Sequence, residues 1–356
     1  MSGAATTPYT IETLLQDTVN KGGSDLHLIH GCPPCQRIAG NIVATAHPPV
    51  DTRMIFTLVQ PFLNASHGKL FEAEGRLNVA FGINNLGRFR LNLCKTQGAV
   101  AASIRAVPNK IYPLSSLGLP PIVATITSKT KGIIFVTGAT GTGKSTTMAA
   151  MLAHINHTGR RGKVVTVEDP IETLFQPDRC IFIQREVGVD TPSFELAIQD
   201  AMRQDPDILC IGEMRSADAM KGAITAAETG HLVITTLHTM DAAKTAQRIV
   251  SAVQPEEQET MRDQLCNALE AVVSQELLPR ADGKGQVLAA EILLGTPAVR
   301  RLIREGKLEA IYDILQTGGN QGMISKDASV KALYQQKIVS RETALGAMRN
   351  PDLLGT

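Results

Sequence analysis

Aromatic residues are scarce in this 356-residue chain: they make up 4% of it, and tryptophan is absent. Proteins that bind single-stranded nucleic acid usually stack the bases on aromatic side chains that line a basic groove. The charges are also balanced, because 35 Lys and Arg residues face 34 Asp and Glu residues and leave a formal net charge of +1. These features argue against a DNA-remodelling protein, and we expect no nucleic-acid partner.

Long apolar runs are missing as well. No uninterrupted apolar run approaches the roughly 20 residues that a membrane-spanning helix needs. Residues 1–7 lack the basic and apolar segments of a signal peptide. We therefore expect a cytoplasmic protein.

Cysteine is sparse, with six residues in the whole chain. Four of them are scattered, which is typical of reduced cytoplasmic proteins: Cys94, Cys180, Cys210 and Cys266. Cys32 and Cys35 have C-x-x-C spacing, but a structural zinc site needs four ligands and no second close pair exists. We interpret this pair as part of a turn rather than as a metal or redox site.

The order of the predicted elements divides the chain into two domains. Residues 1–107 combine a first helix near residues 10–20 with strands near 24–28, 36–47 and 77–93, which predicts a small α+β domain. Residues 108–121 are rich in proline and form the predicted interdomain linker. From residue 122 to residue 356 strands and helices alternate, which predicts an α/β domain with a mostly parallel sheet and a helical C-terminal tail.

The alternation in the second domain is regular. Strands are predicted near residues 132–137, 163–168, 180–184, 207–212 and 231–237, and helices near residues 144–157, 193–204, 216–229 and 241–252. Beyond residue 256 the pattern is helical except for a strand at residues 286–294. In the helix that starts at residue 144, four apolar residues share one face, so we expect them to pack on the sheet: Met148, Met151, Leu152 and Ile155.

One stretch carries a chemical motif. It matches G-x-x-x-x-G-K-[ST] and consists of Gly138, Ala139, Thr140, Gly141, Thr142, Gly143, Lys144 and Ser145. Between a strand and a helix, such glycines let backbone N–H groups converge on phosphate oxygens, and the helix N-terminus adds partial positive charge. We predict that this stretch and Thr146 bind the phosphates of ATP, that Lys144 reaches the β- and γ-phosphates, and that Ser145 ligates Mg²⁺.

Hydrolysis also needs a carboxylate that holds Mg²⁺ or orients the attacking water. Glu213 follows the strand at residues 207–212, and Glu168 ends the strand at residues 163–168. Because ligands lie beyond the carboxyl ends of the strands in open α/β sheets, both acids are predicted near the phosphates. Each is a candidate for Mg²⁺ binding and for the activation of water.

Two histidines bracket the strand at residues 232–237. His238 lies at its carboxyl end, where an imidazole can sense the γ-phosphate, and His231 lies at the other end. Their spacing does not match that of common zinc ligands. We predict a role in nucleotide chemistry for His238, whereas a nucleotide role and a structural role remain alternatives for His231.

Four ordered stretches resemble the type II/type IV secretion ATPase superfamily. They span residues 138–145, 168–172, 205–215 and 227–239, and they are similar to its Walker A, Asp box, Walker B and His box. Residues 22–28 and 37–40 resemble an N-terminal domain signature of the type IV pilus retraction ATPases, and residues 298–305 resemble their C-terminal motif. The resemblance covers nearly the whole chain.

The resemblance implies a PAS-like N-terminal domain joined to a RecA-like P-loop ATPase domain, with six copies in a ring. It places the nucleotide between the two domains. Arg88, Arg90 and Arg105 fall in the region whose arginines approach the phosphates in this family, so they are candidates for neutralising charge in the transition state. Ordinary surface arginines are the alternative.

The function implied by the resemblance is type IV pilus retraction. A cytoplasmic homohexamer, associated with the inner membrane at the pilus base, would hydrolyse ATP and act through an inner-membrane platform protein. Ser216 stands where the main retraction ATPases usually have Asp, and residues 184–191 resemble the accessory retraction paralogue. A nucleotide-gated accessory subunit acting with a paralogous retraction ATPase is therefore an alternative.

A motor for pilus assembly or type II secretion is a further alternative. Those ATPases resemble this chain in their chemistry, but they are longer and usually carry a tetracysteine zinc site. This sequence has neither feature.

Overall fold

The computed structural model describes residues 9–84, 86–107 and 111–355. The chain divides into two compact units, Met1–Lys110 and Ile111–Thr356. The N-terminal residues inspected for a signal peptide and the first three residues of the predicted linker lie outside the described residues. Among the helices of the described part, none is long and apolar enough to cross a membrane.

The first unit, over its described residues, contains an antiparallel six-stranded sheet in the order β3-β2-β1-β6-β5-β4. The strands are β1 (Gly23–Ile29), β2 (Cys35–Ile38), β3 (Asn41–Ala44), β4 (Arg76–Ile83), β5 (Gly87–Thr96) and β6 (Ala99–Val107). The helices are α1 (Ile11–Asn20), α2 (Thr52–Val59) and α3 (Ala65–Glu74).

Strand β5 shows how the sequence gives this sheet two different faces. Phe89, Leu91 and Leu93 are buried, whereas Arg90 between them is exposed. Because successive side chains point to opposite faces of a strand, the apolar residues pack with the three helices and the arginine faces outward.

The second unit contains a seven-stranded mixed sheet, as seen in the part of the chain that the structure describes, in the order β13-β12-β7-β11-β10-β8-β9. Its strands are β7 (Gly132–Thr137), β8 (Gly162–Glu168), β9 (Cys180–Glu186), β10 (Ile208–Ile211), β11 (Leu232–Leu237), β12 (Leu269–Pro279) and β13 (Gln286–Leu294). All neighbours run parallel except β12 and β13, which form an antiparallel hairpin.

Helices cover both faces of this sheet. They are α4 (Ile122–Thr127), α5 (Lys144–Thr158), α6 (Phe194–Ala201), α7 (Ala217–Glu228), α8 (Ala242–Val250), α9 (Gln258–Ala268), α10 (Pro297–Arg304), α11 (Ile311–Thr317), α12 (Lys326–Gln335) and α13 (Arg341–Ala347). Along β7, Ile133 and Phe135 belong to one apolar cluster, and Ile134 and Val136 belong to the other. The α/β class predicted from the alternating pattern is confirmed.

Helix α5 packs its apolar face on the sheet, as its residue spacing predicts. Met148, Met151, Leu152 and Ile155 are all buried, and they share a cluster with Ile134 of β7. Burying such a side chain contributes about 1.5–3 kcal/mol relative to leaving it exposed. The helix that follows the glycine loop is therefore fixed against the strand that precedes it.

The helical prediction for the region after residue 256 was wrong for residues 269–279. This stretch forms β12, which pairs with β7 on one side and β13 on the other. Its residues from Leu269 to Gln275 are almost all buried, so it lacks the polar face by which an amphipathic helix or a half-buried strand is recognised. Because both faces of this stretch are buried, its sequence pattern alone does not distinguish a strand from a helix.

Residues 111–121, which the sequence assigns to the linker, contribute side chains to the second unit. Leu114 is buried there, and Ile111, Leu117 and Leu119 pack against the same cluster.

Candidate functional site

The glycine loop connects β7 to α5, and its backbone requires glycine. Gly138, Gly141 and Gly143 have φ angles of 141°, 84° and 87°, which other residues rarely adopt. A Cβ atom on Gly138 would also lie 2.3 Å from the backbone oxygen of Gln275 and 2.7 Å from Oγ1 of Thr142. Positive φ and close packing thus hold the loop in one shape.

Lys144 is the first residue of α5, and its side chain is 8% exposed. Its Nζ atom donates to the backbone oxygens of Gly138 at 2.9 Å and Ala139 at 2.8 Å. Burial lowers the pKa of this ammonium group, and the nearby carboxylate of Glu213 opposes that shift. The cation is therefore held over the loop by neutral carbonyl groups.

The N-terminus of α5 opens onto the same loop. Gly143 precedes the helix in the left-handed conformation and provides no side-chain cap, and Ser145 and Thr146 are exposed in the first turn. The first N–H groups of a helix have no partners within the helix, and they carry partial positive charge. The loop and this helix end together form a surface suited to an anion.

Glu213 follows β10 and lies beside a guanidinium and an imidazole. Its Oε1 atom forms an ion pair with Arg215, and its Oε2 atom lies 3.4 Å from Nε2 of His238. The other ring nitrogen of His238, Nδ1, lies 3.4 Å from Nζ of Lys144. A continuous chain of polar contacts therefore joins the end of β10, the end of β11 and the glycine loop.

Glu168 ends β8, next to β10, in a different environment. The hydroxyl of Thr166 donates to its Oε1 atom at 2.6 Å, and the amide Nε2 of Gln184 lies 3.4 Å from the same oxygen. Burial raises the pKa of this carboxyl group, although these hydrogen bonds act in the opposite direction. Glu168 is thus a carboxylate among uncharged donors.

The ends of β8 and β10 lie close together at Gly212. Gly212 donates to the backbone oxygen of Val167 at 2.8 Å, and a Cβ atom on it would lie 3.4 Å from Cα of Glu168. Both acids therefore leave the same edge of the sheet, the one at which β7 runs into the glycine loop.

Of the predicted site residues in the second unit, His231 does not join this cluster. His231 lies at the opposite end of β11, where its Nδ1 atom is 2.9 Å from the backbone oxygen of Ala226. Arg88, Arg90 and Arg105 belong to the first unit, on β5 and β6. Arg105 forms an ion pair with Asp25 at 2.8 Å, and it is paired with Arg90 in the register of the two strands.

Sequence reasoning missed the groups that surround the two acids. Thr166 lies two residues before Glu168 on a strand, so the two-residue period of strands could have placed both on one face. Gln184 is on β9, and its position opposite Thr166 depends on the pairing of two strands that the sequence does not specify. Arg215 lies two residues after Glu213, but no periodicity predicts its ion pair.

Ser216, the departure from the usual Asp, has a structural role. Its hydroxyl oxygen accepts a hydrogen bond from the backbone N–H of Ala219 at 3.2 Å and so caps α7, and it also contacts Glu195. Ser and Asp are both favourable N-cap residues. The cap is therefore preserved in this chain.

These residues fit a magnesium nucleotide. The fixed glycine backbone, the end of α5 and Lys144 supply donors and positive charge of the kind that bind phosphate. The hydroxyl of Ser145 and the carboxylates of Glu213 and Glu168 are the oxygen ligands that Mg²⁺ prefers. The donor set is therefore consistent with ATP and Mg²⁺.

Comparisons with known proteins agree with this geometry. The chain is 39% identical over 342 residues to the type IV pilus retraction ATPase PilT of Pseudomonas aeruginosa, covering 96% of this chain and 99% of that protein. It is 36% identical over 334 residues to the type IV pilus ATPase PilU of the same organism, covering 94% of this chain and 87% of that protein.

A solved structure and a family profile extend the likeness to nearly all of the chain. The crystal structure of the pilus retraction motor PilT with bound ADP has a TM-score of 0.90 and 38% sequence identity, covering 97% of this chain and 99% of that one. The profile described as type II/IV secretion system protein matches residues 2–349. The chain therefore belongs to the type II/IV secretion system protein family.

Proposed function

We propose that this protein is an ATPase whose hydrolysis of ATP powers the retraction of type IV pili. The observation that carries the proposal is the meeting of a glycine loop, Lys144 and two carboxylates at one sheet edge. The nearly full-length similarity to PilT supports retraction as the work that hydrolysis performs.

The glycine loop binds the phosphates in this proposal. Backbone N–H groups of residues 138–145 and the first turn of α5, including Thr146, donate to phosphate oxygens. Lys144 exchanges its two carbonyl partners for oxygens of the β- and γ-phosphates, and Ser145 contributes its hydroxyl to Mg²⁺. When bound, Mg²⁺ would supply positive charge that neutralises the negative charge developing on the phosphates during transfer.

The two acids divide the remaining work. Glu213, fixed by Arg215 and near His238, holds Mg²⁺ and keeps the imidazole of His238 directed at the terminal phosphate. Glu168 orients the attacking water and accepts its proton as the oxygen bonds to the γ-phosphorus, while the bond to the β,γ-bridging oxygen breaks. The products are ADP and inorganic phosphate.

The coupling to movement uses both parts of the chain. The proposal assigns residues 1–107 to a PAS-like domain, residues 108–121 to a linker, and residues 122–356 to a RecA-like domain. Arg88, Arg90 and Arg105 approach the phosphates when the domains close, and release of phosphate reopens them. His231, at the opposite end of β11 from the glycine loop, is assigned the structural role instead.

The assembled motor is a homohexamer in the cytoplasm, associated with the inner membrane at the pilus base. It acts on a platform protein of that membrane. This arrangement is the part of the proposal that depends most on the similarity to PilT.

ATP turnover by the purified full-length protein tests the enzyme activity. Lys144→Ala removes the cation that contacts the phosphates, and we expect kcat to fall on the order of 10²–10³-fold. Lys21→Ala, at an exposed lysine that pairs with Asp17, is the matched control and keeps the wild-type rate. Equal rates for Lys144→Ala and wild type would refute the proposed site.

The phenotype of a deletion strain tests the biological role. We expect cells without the protein to be over-piliated and to lose twitching motility, and we expect the wild-type gene but not Lys144→Ala to restore it. Bald cells would instead indicate a motor for pilus assembly.

An accessory retraction subunit is the alternative that the comparisons do not favour, because identity to PilU is lower than identity to PilT. Such a subunit would bind ATP and act through a paralogous ATPase. Measured turnover that is negligible beside a measurable ATP affinity, together with complementation by the Lys144→Ala variant, would favour this candidate.

A further inference from the structure

Two uncharged side chains share one oxygen of Glu168. Thr166 Oγ1 donates to Oε1 at 2.6 Å, which is a short hydrogen bond, and Gln184 Nε2 lies 3.4 Å from the same atom. The second carboxylate oxygen, Oε2, is in neither contact. The two donors therefore fix the rotation of the carboxylate as well as its position.

The sheet itself puts these donors in place. Thr166 and Glu168 are two residues apart on β8 and so share a face, and Gln184 on β9 is in register with Thr166. Thr166 is fully buried in a strand flanked on both sides by parallel neighbours. Its hydroxyl is therefore held inside the sheet, between two paired strands.

Gln184 is held from its other side by the segment that follows β8. Its Nε2 atom donates to the backbone oxygen of Thr173 at 2.7 Å, and its Oε1 atom accepts from the backbone N–H of Phe175 at 3.0 Å. Glu186 fixes the same segment by accepting from the N–H of Ile171 at 3.1 Å. Gln184 thus joins this segment to Glu168.

We propose that Thr166 and Gln184 are positioning residues that hold the Glu168 carboxylate in the orientation in which it accepts a proton from the attacking water. The inference deepens the proposed function and depends on Glu168 acting there as the base. Neither side chain touches the nucleotide in this assignment. Both act through the carboxylate, because each contacts its Oε1 atom.

Loss of such a donor acts on the rate of the chemical step. A misplacement of about 1 Å in a reacting group costs on the order of a hundredfold in rate. Substrate binding is governed by the glycine loop and Lys144, which neither donor contacts. We therefore expect changes in kcat with little change in the KM for ATP.

The experiment compares isosteric variants of the full-length protein. Thr166→Val removes the hydroxyl but fits the same buried site, and we expect kcat to fall about tenfold to a hundredfold with KM and ATP affinity within about twofold. Thr166→Ser keeps the hydroxyl and is expected to restore most of the rate. Gln184→Met keeps the side-chain length and is expected to lower kcat by a smaller factor, because its contact with Glu168 is longer.

A double-mutant cycle distinguishes positioning from a general effect on the fold. If Thr166 acts through Glu168, then Thr166→Val lowers the rate in the wild-type background but not in the Glu168→Gln background. Thermal melting of each variant provides a second measurement. A variant that melts far below the wild type is set aside, and the decision then rests on Gln184→Met and its own cycle with Glu168→Gln.

The outcomes separate this inference from the function on which it depends. If Glu168→Gln keeps the wild-type turnover, Glu168 is not the base, and the proposed mechanism fails first. If Glu168→Gln abolishes turnover while Thr166→Val and Gln184→Met both match the wild type, only the positioning inference is overturned. Equal losses from Thr166→Val in the two backgrounds would also overturn it.

Discussion

The surroundings of Glu168 and Glu213 differ although the two acids lie at one sheet edge on adjacent strands. Glu168 receives hydrogen bonds from the uncharged side chains of Thr166 and Gln184, and burial raises its pKa. Glu213 pairs with the guanidinium of Arg215 and lies near the imidazole of His238.

In the proposed function, the environment of each carboxylate, rather than its residue type, divides the work between the two acids. Glu213 faces the guanidinium of Arg215, and its carboxylate oxygens are of the kind that bind Mg²⁺. A desolvated carboxylate among neutral donors keeps a higher affinity for protons, which suits a base. We therefore expect the two acids to respond differently to the same substitution.

The largest effect is expected from Glu168→Gln. The amide cannot accept the proton of the attacking water, so kcat should fall by about 10²–10⁴-fold, the usual contribution of a general base. ATP binding should stay intact, as measured by the affinity of a fluorescent ATP analogue. A wild-type kcat in this variant would assign the role of base to Glu213, and the proposed roles of the two acids would be exchanged.

Glu213→Gln is expected to act mainly through Mg²⁺. Weakening an oxygen that holds the metal should lower its apparent affinity by about 10–100-fold, a typical cost for such groups. Titration of the ATPase rate with Mg²⁺ measures this shift. If Glu168→Gln shows the larger shift in Mg²⁺ dependence, the proposed division of roles between the two acids is wrong.

Arg215→Ala should have a smaller effect on stability. The Arg215 side chain is 68% exposed, so its pair with Glu213 contributes about 0.2–1 kcal/mol at most. Urea unfolding measures this change, with Arg215→Lys as the control that retains the charge. A loss of several kcal/mol would mean that the pair is shielded from water and would weaken the contrast with Glu168.

Glu291 offers a buried acid away from the glycine loop and the two site acids, and it should have the smallest effect on activity. Burial raises its pKa above the ordinary value of 4.5, although it accepts a hydrogen bond from the N–H of Ala242 at 2.9 Å. The native state then binds this proton more tightly than the unfolded state. Its contribution to stability is therefore present at low pH and is lost as pH rises from 4.5 through the native pKa.

Glu291→Gln should remove this part of the pH dependence and keep the wild-type ATPase rate. The free energy of unfolding, measured by urea titration at several pH values above 4.5, tests the slope. An unchanged slope would show that burial does not control this carboxyl group and would question the same argument for Glu168.

The sequence predicts the glycine loop, the helix after it and the positions of both acids for a physical reason. Strand ends and helix starts depend on local periodicity, and parallel strands direct their carboxyl ends to one edge. The partners of the acids depend on strand pairing and side-chain rotamers instead. The two-residue period of a strand could have predicted that Thr166 lies beside Glu168, whereas predicting Gln184 there needs the register of β8 and β9.

Strand β12 escaped prediction for a related reason. Its two faces are buried by different layers, so its sequence shows neither the alternation of a half-buried strand nor the stripe of a surface helix. Only its neighbours β7 and β13 identify it as part of the sheet.

Gln275 of β12 lies against Gly138, so β12 supports the start of the glycine loop. The backbone of Gln275 blocks the start of the loop, and its side chain donates to Thr147 of α5 at 2.9 Å. Gln275, which is far from the loop in sequence, thus contacts both the start of the loop and the helix that follows it. Helices α12 and α13 pack on the hairpin β12–β13, so a path of direct contacts leads from the glycine loop through Gln275 to the C-terminal helices.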